Sequence, residues 1–224
     1  RLQTAWSTRT TRLRTMSEAM QPGLLIVYSG PSGVGKGTIL APYLAAHPET
    51  VLSVSVTTRA PRPGERDGID YSFITRERFD ELAAGGGLLE YAEYSGNCYG
   101  TPRAAVETQL AAGRNVLLEI EVQGAMKVRR TFPQAVFIFV LPPSYETLRE
   151  RLTGRNTETA EVVERRLAAA RLELSYAAQY DYVIVNDDAD KARAQLDAII
   201  CASKCRTNYM QTMIDKVCEF HEYA

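Results

Sequence analysis

The segment GPSGVGKGT, residues 30–38, constrains the fold of this chain more than any other feature. It follows the apolar run LLIVYS and has the Gly-x4-Gly-Lys spacing of a phosphate-binding loop, which needs a buried strand before it and a helix after it. Glycines let the backbone approach a phosphate closely, and the amides that begin the helix point at the anion. We therefore predict a strand over 24–30, a helix over 36–46 and a nucleotide site between them.

The residue after Lys36 is Gly37, where many phosphate-binding loops place the Ser or Thr hydroxyl that binds magnesium. Mg²⁺ often keeps several waters and is held by substrate phosphates, so the loop remains compatible with nucleotide binding. Thr38 follows and could reach a phosphate oxygen or the water shell of the ion. The sequence GKGT resembles the corresponding segment of adenylate kinases, which favours a small phosphotransferase over a motor or signalling NTPase.

Composition limits the classes of partner. The chain is 45% hydrophobic, which is enough for one substantial core, and its net charge is -1 with a pI of about 6.2. Bulk attraction to nucleic acid or to a membrane surface is therefore not expected. No apolar run approaches the roughly 20 residues that span a bilayer. We predict a cytoplasmic protein without a nucleic-acid or membrane partner.

The four cysteines are too sparse for a disulfide-stapled secreted domain, which favours a reducing compartment. Three of them, Cys201, Cys205 and Cys218, could form a zinc site with His221, although metal sites usually place turn residues between ligand pairs. The simpler interpretation is a C-terminal helix in which Cys201 and Cys205 lie one turn apart.

Apolar strands alternate with helical patterns, which predicts an α/β fold with a parallel sheet flanked by helices. Further strands are predicted at 115–122, 135–141 and 181–187. The segment 51–100 is rich in Arg, Gly, Pro and Tyr, which indicates a small mixed α/β insertion with a short helix at 75–85. The segment 144–178 reads as two charged helices separated at Gly154 and Asn156, a candidate lid.

Residues 1–22 differ from the rest, with several Arg, Ser and Thr residues near the start. A transit peptide is one interpretation, and we favour a disordered extension or a remnant of expression. The predicted organisation is thus an extension over 1–22, a catalytic domain over 23–200 and a helical extension over 201–224. Within the domain we assign 23–54, 101–142 and 180–200 to the core, 55–100 to the insertion and 143–179 to the lid.

The stretch SVSVTTRAPRPGERDGIDYSFI, residues 53–74, resembles the GMP-binding signature of guanylate kinases. The blocks LLEYAEYSGNCYGTP, EIEVQGA and VIVNDD resemble further family blocks and follow in the same order, so that the resemblance covers about 23–200. It implies a P-loop NTPase type of fold and transfer of a phosphoryl group from ATP to GMP, and by extension to dGMP, within purine metabolism.

The resemblance also implies which residues bind GMP. Glu90 would accept hydrogen bonds from the adjacent N1 and N2 donors of guanine, which adenine lacks. Arg59 and Arg62 would hold the phosphate, because guanidinium groups match its oxygens in a fork. The full set of GMP-binding residues expected is Ser55, Arg59, Arg62, Tyr71, Glu90, Tyr99, Thr101 and Glu119.

The donor side and the transferring group are assigned in the same way. The ATP-binding residues expected are Gly30, Pro31, Ser32, Gly33, Val34, Gly35, Lys36, Gly37, Thr38 and Asn186. The catalytic residues expected are Lys36, Arg59, Arg151, Arg155 and Arg166. Mg²⁺ is expected to arrive with ATP and to have no direct protein ligand, with Thr38 or Glu121 as the groups nearest to it.

Two rival functions remain. Guanylate-kinase-like domains of scaffold proteins bind peptides and have lost catalysis, but they tend to have degenerate phosphate loops, whereas this chain keeps Lys36 and the arginines. A kinase for another nucleoside monophosphate would not need Glu90 together with Arg59 and Arg62. The substrates expected are ATP and GMP, and the expected assembly is a monomer or a homodimer.

Overall fold

The computed structural model of the chain describes residues 21–94, 96–153 and 160–219. Nine strands and eight helices follow one another within these ranges, with a 3-10 turn at Ala177–Gln179. In chain order they are β1 (Leu25–Ser29), α1 (Lys36–Ala46), β2 (Thr50–Leu52), β3 (Val56–Thr57), β4 (Ser72–Phe73), α2 (Arg76–Ala84), β5 (Leu88–Tyr94), β6 (Asn97–Pro102), α3 (Arg103–Ala111), β7 (Asn115–Glu119), α4 (Val122–Thr131), β8 (Val136–Leu141), α5 (Tyr145–Thr153), α6 (Ala160–Leu174), β9 (Tyr182–Val185), α7 (Ala189–Ser203) and α8 (Thr207–Glu219).

The central sheet has five parallel strands in the order β2-β7-β1-β8-β9. Side chains alternate along β1, so that Ile26 and Tyr28 pack on one face while Leu25 and Val27 pack on the other. The first face is covered by α1 and α7, and the second by α3 and α4. Burial on both faces explains why these strands read as continuous apolar runs. The predicted parallel α/β core is confirmed.

The predicted strands and helices of the core agree with the structure to within three residues. Helix 36–46 is confirmed at both ends. The strand predicted over 115–122 is too long, because β7 ends at Glu119 and the chain turns at Ile120 into α4. Glu119 and Glu121 therefore do not share a strand face, as they would in a strand that continued to residue 122. Glu121 instead precedes the first turn of α4.

The insertion forms a second sheet of four strands in the order β4-β3-β6-β5. It is mixed, because β3 pairs in parallel with β4 and antiparallel with β6. Helix α2 begins after Thr75, whose hydroxyl accepts from the Arg78 amide, and it buries Phe79 against Val56 and Leu88. The predicted mixed insertion with one short helix is confirmed.

The two predicted lid helices are α5 and α6, and the predicted break between them falls at 154–159, outside the described residues. They share a small apolar cluster made of Leu148, Leu152, Val163, Leu167 and Ala170. Leu152 also packs toward the phosphate-binding loop, where a side chain at Gly33 would meet it. The lid helices are thus packed onto the loop.

The C-terminal segment differs in part from its prediction. Helix α7 ends at Ser203, so Cys205 lies in the turn before α8 and not on one continuous helix with Cys201. Cys98, Cys201, Cys205 and Cys218 are free thiols. His221, the fourth ligand of the zinc alternative, lies outside the described residues. Within the described ranges, no helix has the length and apolarity needed to cross a bilayer.

Candidate active site

One cavity of about 410 Å³ opens between the phosphate-binding loop, the second sheet and the lid. It contains predicted residues from both nucleotide sites, which is the arrangement that direct transfer between two nucleotides needs. The lining residues are Gly30, Ser32, Lys36, Ser55, Arg62, Tyr71, Glu90, Ala92, Tyr99, Gly100, Glu119, Ile120, Glu121, Gly124, Arg166, Ala169 and Glu173.

Lys36 is one of the residues that line this cavity. Its Nζ atom donates to the Gly30 carbonyl at 2.6 Å and to the Pro31 carbonyl at 3.4 Å, so the ammonium group is fixed across the loop. Burial lowers the pKa of Lys36, while the carboxylates of Glu119, Glu173 and Glu121 act in the opposite direction. A cation held in this way is a suitable partner for a phosphate.

The loop is clamped from behind by Asn186 and Arg151. Nδ2 of Asn186 donates to the Val34 carbonyl at 2.7 Å, and Arg151 donates to the carbonyls of Val34 and Asn186, both at 3.1 Å. Neither side chain is among the residues that line the cavity; Asn186 was predicted to bind ATP and Arg151 to be catalytic. The Thr38 hydroxyl likewise donates to the Gly35 carbonyl at 2.6 Å. These contacts hold the loop in shape.

Arg166 reaches the loop from lid helix α6. Its Nη2 atom donates to the Ser32 hydroxyl at 2.9 Å, and the side chain lines the cavity. Arg166 therefore lies beside the phosphate-binding loop, where a guanidinium group can contact a bound phosphate. Arg155, the other predicted lid arginine, lies outside the described residues.

Glu90 is the buried acid of the acceptor side, with 6% of its surface exposed. A β-bulge between β5 and β6 places Leu89 and Glu90 opposite Thr101 alone, because Leu88 pairs with Pro102 and Tyr91 with Gly100. The bulge turns the Glu90 carboxylate into the cavity. The Thr101 hydroxyl donates to its Oε1 atom at 2.7 Å.

Burial raises the pKa of Glu90, and the Thr101 hydrogen bond and the charge of Lys127 only partly counteract this. The other carboxylate oxygen faces Gly124 of α4, where any Cβ would collide with it. Glycine at this position leaves room for the acid, and a larger residue would force the carboxylate to shift. Gly124 lies inside the EIEVQGA block, but its role was not predicted.

The two predicted phosphate-binding arginines differ in their surroundings. Arg62 lines the cavity. Arg59 instead forms a two-pronged ion pair with Glu65, at 3.0 and 2.9 Å, and stacks over the ring of Tyr71 at 5.4 Å. Glu65 also accepts from the Arg62 amide at 2.7 Å, so one carboxylate organises the whole arginine loop. Glu65 lies within the predicted GMP-binding signature at residues 53–74, but no role was predicted for it.

Tyr71, Tyr99 and Ser55, which were predicted to bind GMP, line the cavity together with Arg62. The two tyrosine rings meet edge to face with centroids 6.0 Å apart. Burial raises the pKa of Tyr71, so its hydroxyl stays protonated and able to donate. The cavity thus offers hydroxyl donors next to a guanidinium group, a set suited to a phosphate ester.

Three more acids, Glu119, Glu121 and Glu173, line the side of the cavity near Lys36. Glu121 as a whole residue is exposed at the rim of the cavity. Partial desolvation of its carboxyl group nevertheless raises its pKa, and the positive charge of Lys36 opposes this rise. Burial likewise raises the pKa of Glu173. Glu173 was missed in the sequence, where it is one of several acids on a charged helix.

Comparisons with known proteins identify the family of this chain. The guanylate kinase family model matches residues 23–203. A guanylate kinase of Parasynechococcus marenigrum (strain WH8102) is 56% identical over 178 residues, covering 80% of this chain and 98% of that relative. One from Desulfitobacterium hafniense (strain Y51) is 53% identical over 184 residues, covering 82% of this chain and 92% of the relative. The crystal structure of guanylate kinase from Anaplasma phagocytophilum superimposes with a TM-score of 0.69 at 39% identity, covering 84% of this chain and 89% of that one. This chain belongs to the guanylate kinase family.

Proposed function

We propose that this chain transfers the γ-phosphoryl group of ATP to GMP, and also to dGMP, and so returns GMP to the purine nucleotide pool. The observation that carries the proposal is that the buried carboxylate of Glu90 faces the same cavity as Lys36 and Arg62. An acid that can read guanine and cations that can hold phosphates are thereby combined in one space. Membership of the guanylate kinase family supports the same activity.

Glu90 is the group that selects the base. Guanine presents N1–H and N2–H₂ side by side, and an ionised carboxylate accepts both. Thr101 already occupies one lone pair of Oε1, which fixes the direction of the remaining ones. Adenine offers neither donor and would leave the other acceptor positions of the buried carboxylate without partners, and a loss of this kind can amount to discrimination of about 10⁴.

The obstacle to reaction is repulsion between two polyanions. An oxygen of the GMP phosphate attacks the γ-phosphorus in line, a new P–O bond forms, and the bond to the β-phosphate oxygen breaks so that ADP leaves with the electron pair. The attacking oxygen is already ionised at neutral pH, so no general base is needed. Catalysis then consists of positioning and charge neutralisation.

The cations take separate roles. Lys36 and Arg166 lie on the donor side and would neutralise the transferring group. Arg62, Tyr71 and Tyr99 would hold the acceptor phosphate, with Arg59 positioning that loop through Glu65. Arg151 is better placed to maintain the shape of the phosphate-binding loop. The catalytic role of Arg155 stays a prediction, because this residue lies outside the described ranges.

Magnesium would be carried in by ATP. Among the described residues, no cluster of three or more His, Cys, Asp or Glu side chains could enclose a metal ion. An ion held by phosphates and water would need no direct protein ligand, and Glu121 at the rim and Thr38 at the loop would supply the side-chain oxygens nearest to it. When bound, the ion supplies positive charge between the phosphates.

The rival peptide-binding function is tested by turnover itself. ADP release is measured with ATP and Mg²⁺ and each of GMP, dGMP, AMP, CMP and UMP. We expect turnover with GMP and dGMP alone. Turnover with another monophosphate would indicate a different kinase, and no turnover with any of the five would favour the scaffold function.

We also propose a cytoplasmic location, because the four cysteines are free thiols and a reducing compartment keeps thiols in this state.

A further inference from the structure

Glu173 lies on lid helix α6, and its side chain is directed toward the same cavity beside the phosphate-binding loop as that of Arg166. The two residues are seven positions apart on α6, which is two helical turns, and therefore project from one face. Arg166 donates to the Ser32 hydroxyl at 2.9 Å. Glu173 lines the same cavity as Ser32, and the Ser32 backbone amide favours the ionised form of its carboxyl group, which lowers a pKa that burial raises. A single loop residue thus binds a lid cation and acts electrostatically on a lid anion.

The surroundings of the Glu173 carboxylate are those of a group competing for an anion site. Lys36 attracts it and Glu121 repels it, and all three residues line the same cavity. Its Oε2 atom is fully buried and has no hydrogen-bond partner among the described residues. A buried acceptor without a hydrogen-bond partner is unfavourable. The position of Glu173 near Lys36 is therefore not that of an optimised structural ion pair.

A phosphate would need the same groups. In a loop of this kind the backbone amides and the lysine are the anion ligands, and Ser32 and Lys36 supply one of each. Glu173 and a phosphate carry the same sign of charge. They cannot both be close to these ligands without a large repulsive cost in a partly desolvated cavity.

We propose that Glu173 competes with the phosphates of the donor nucleotide for the Ser32 amide and the Lys36 ammonium group, so that ATP binding displaces this part of the lid. The inference rests on the proposed function, because it takes the loop to be the donor site. Arg166, on the same helix, then moves together with Glu173 when ATP enters.

The test is ATP binding by titration calorimetry without GMP, once in EDTA and once with Mg²⁺. Glu173→Gln keeps the size of the side chain and removes its charge, and we expect ATP to bind about five- to tenfold more tightly in both conditions. The matched control is Glu164→Gln, on the same helix but exposed and 3.9 Å from Arg149. That control should leave ATP affinity unchanged.

Unchanged affinity in Glu173→Gln would overturn the inference. Weaker binding only with Mg²⁺ would also overturn it and would identify Glu173 as a contact of the metal's water shell. Weaker binding together with a lower Tm would mark a structural residue. If Glu173→Gln does not fold, Glu173→Ala is measured with the same expected sign. Because no acceptor is present, the result does not depend on whether GMP is the substrate.

Discussion

The Thr101 hydroxyl donates a 2.7 Å hydrogen bond to Oε1 of Glu90 across the bulge between β5 and β6. Both side chains are buried, and the hydroxyl is the partner that partly offsets the burial of the acid. Base reading therefore depends on a pair of residues rather than on the acid alone.

Replacing Thr101 with Val keeps the shape of the side chain and removes this bond. We expect the KM for GMP to rise about tenfold, because a hydrogen bond to a charged group contributes roughly 1.5–3 kcal/mol and the carboxylate also loses its orientation. The KM for ATP should stay constant. Thr108→Val, at an exposed position on α3, is the control, and equal effects in the two variants would contradict the pairing.

GMP affinity should depend on pH through Glu90. Burial raises the pKa of this acid above its ordinary value of 4.5, and only the ionised form accepts two hydrogen bonds from guanine. As pH falls through the raised pKa, the KM for GMP should rise, starting at a higher pH than for a free glutamate. Lys127 and Glu121 are the charged groups that also act on this titration. Glu90→Gln should remove this pH dependence, and a KM profile identical in the two proteins would assign it to another group.

Gly124 in α4 provides the space for the Glu90 carboxylate, since a Cβ there would collide with Oε2. Gly124→Ala improves helix propensity by about 0.5–1 kcal/mol, yet we expect it to raise the KM for GMP about tenfold or more. Gln123→Ala, on the exposed side of the same helix, is the control. Normal GMP kinetics in the Gly124 variant would show that the acid tolerates displacement.

Glu65 organises the phosphate-binding arginines, because it pairs with Arg59 and accepts from the Arg62 amide. Glu65→Gln should weaken GMP binding about tenfold and leave guanosine binding unchanged, since only the phosphate contact is disturbed. The control is Glu81→Gln, which removes an exposed pair with Arg78 at 2.7 Å. A parallel loss of guanosine affinity would indicate that the whole insertion is misfolded.

Sequence reasoning predicted the parallel core because buried strands and a glycine-rich turn leave a local signal. It also predicted Glu90, Lys36 and Arg62, which the structure brings into one cavity. It could not predict Gly124 or Glu173, since their importance lies in contacts with residues far away in the chain. The inward direction of Arg151 was missed for the same reason, because its acceptors are two backbone carbonyls.

The end of β7 shows a different limit. The run NVLLEIEV continues its apolar alternation past Glu119, yet the chain leaves the sheet at Ile120 to begin α4. The chain turns toward the cavity after Glu119, and this turn ends the strand. The hydrophobic pattern does not indicate the turn, because the apolar residues alternate on both sides of it. Glu121 nevertheless lines the cavity, although from the start of a helix.

The central claim is that the Glu90 carboxylate selects guanine while fixed cations bring the two nucleotides together. It is tested most directly by the ratio of kcat/KM for GMP to that for AMP, in the unmodified chain and in Glu90→Gln. We predict a ratio of about 10⁴ or more in the unmodified chain, falling by at least about 10² in the variant, with an unchanged KM for ATP. A ratio that stays the same after the carboxylate is removed would contradict the claim.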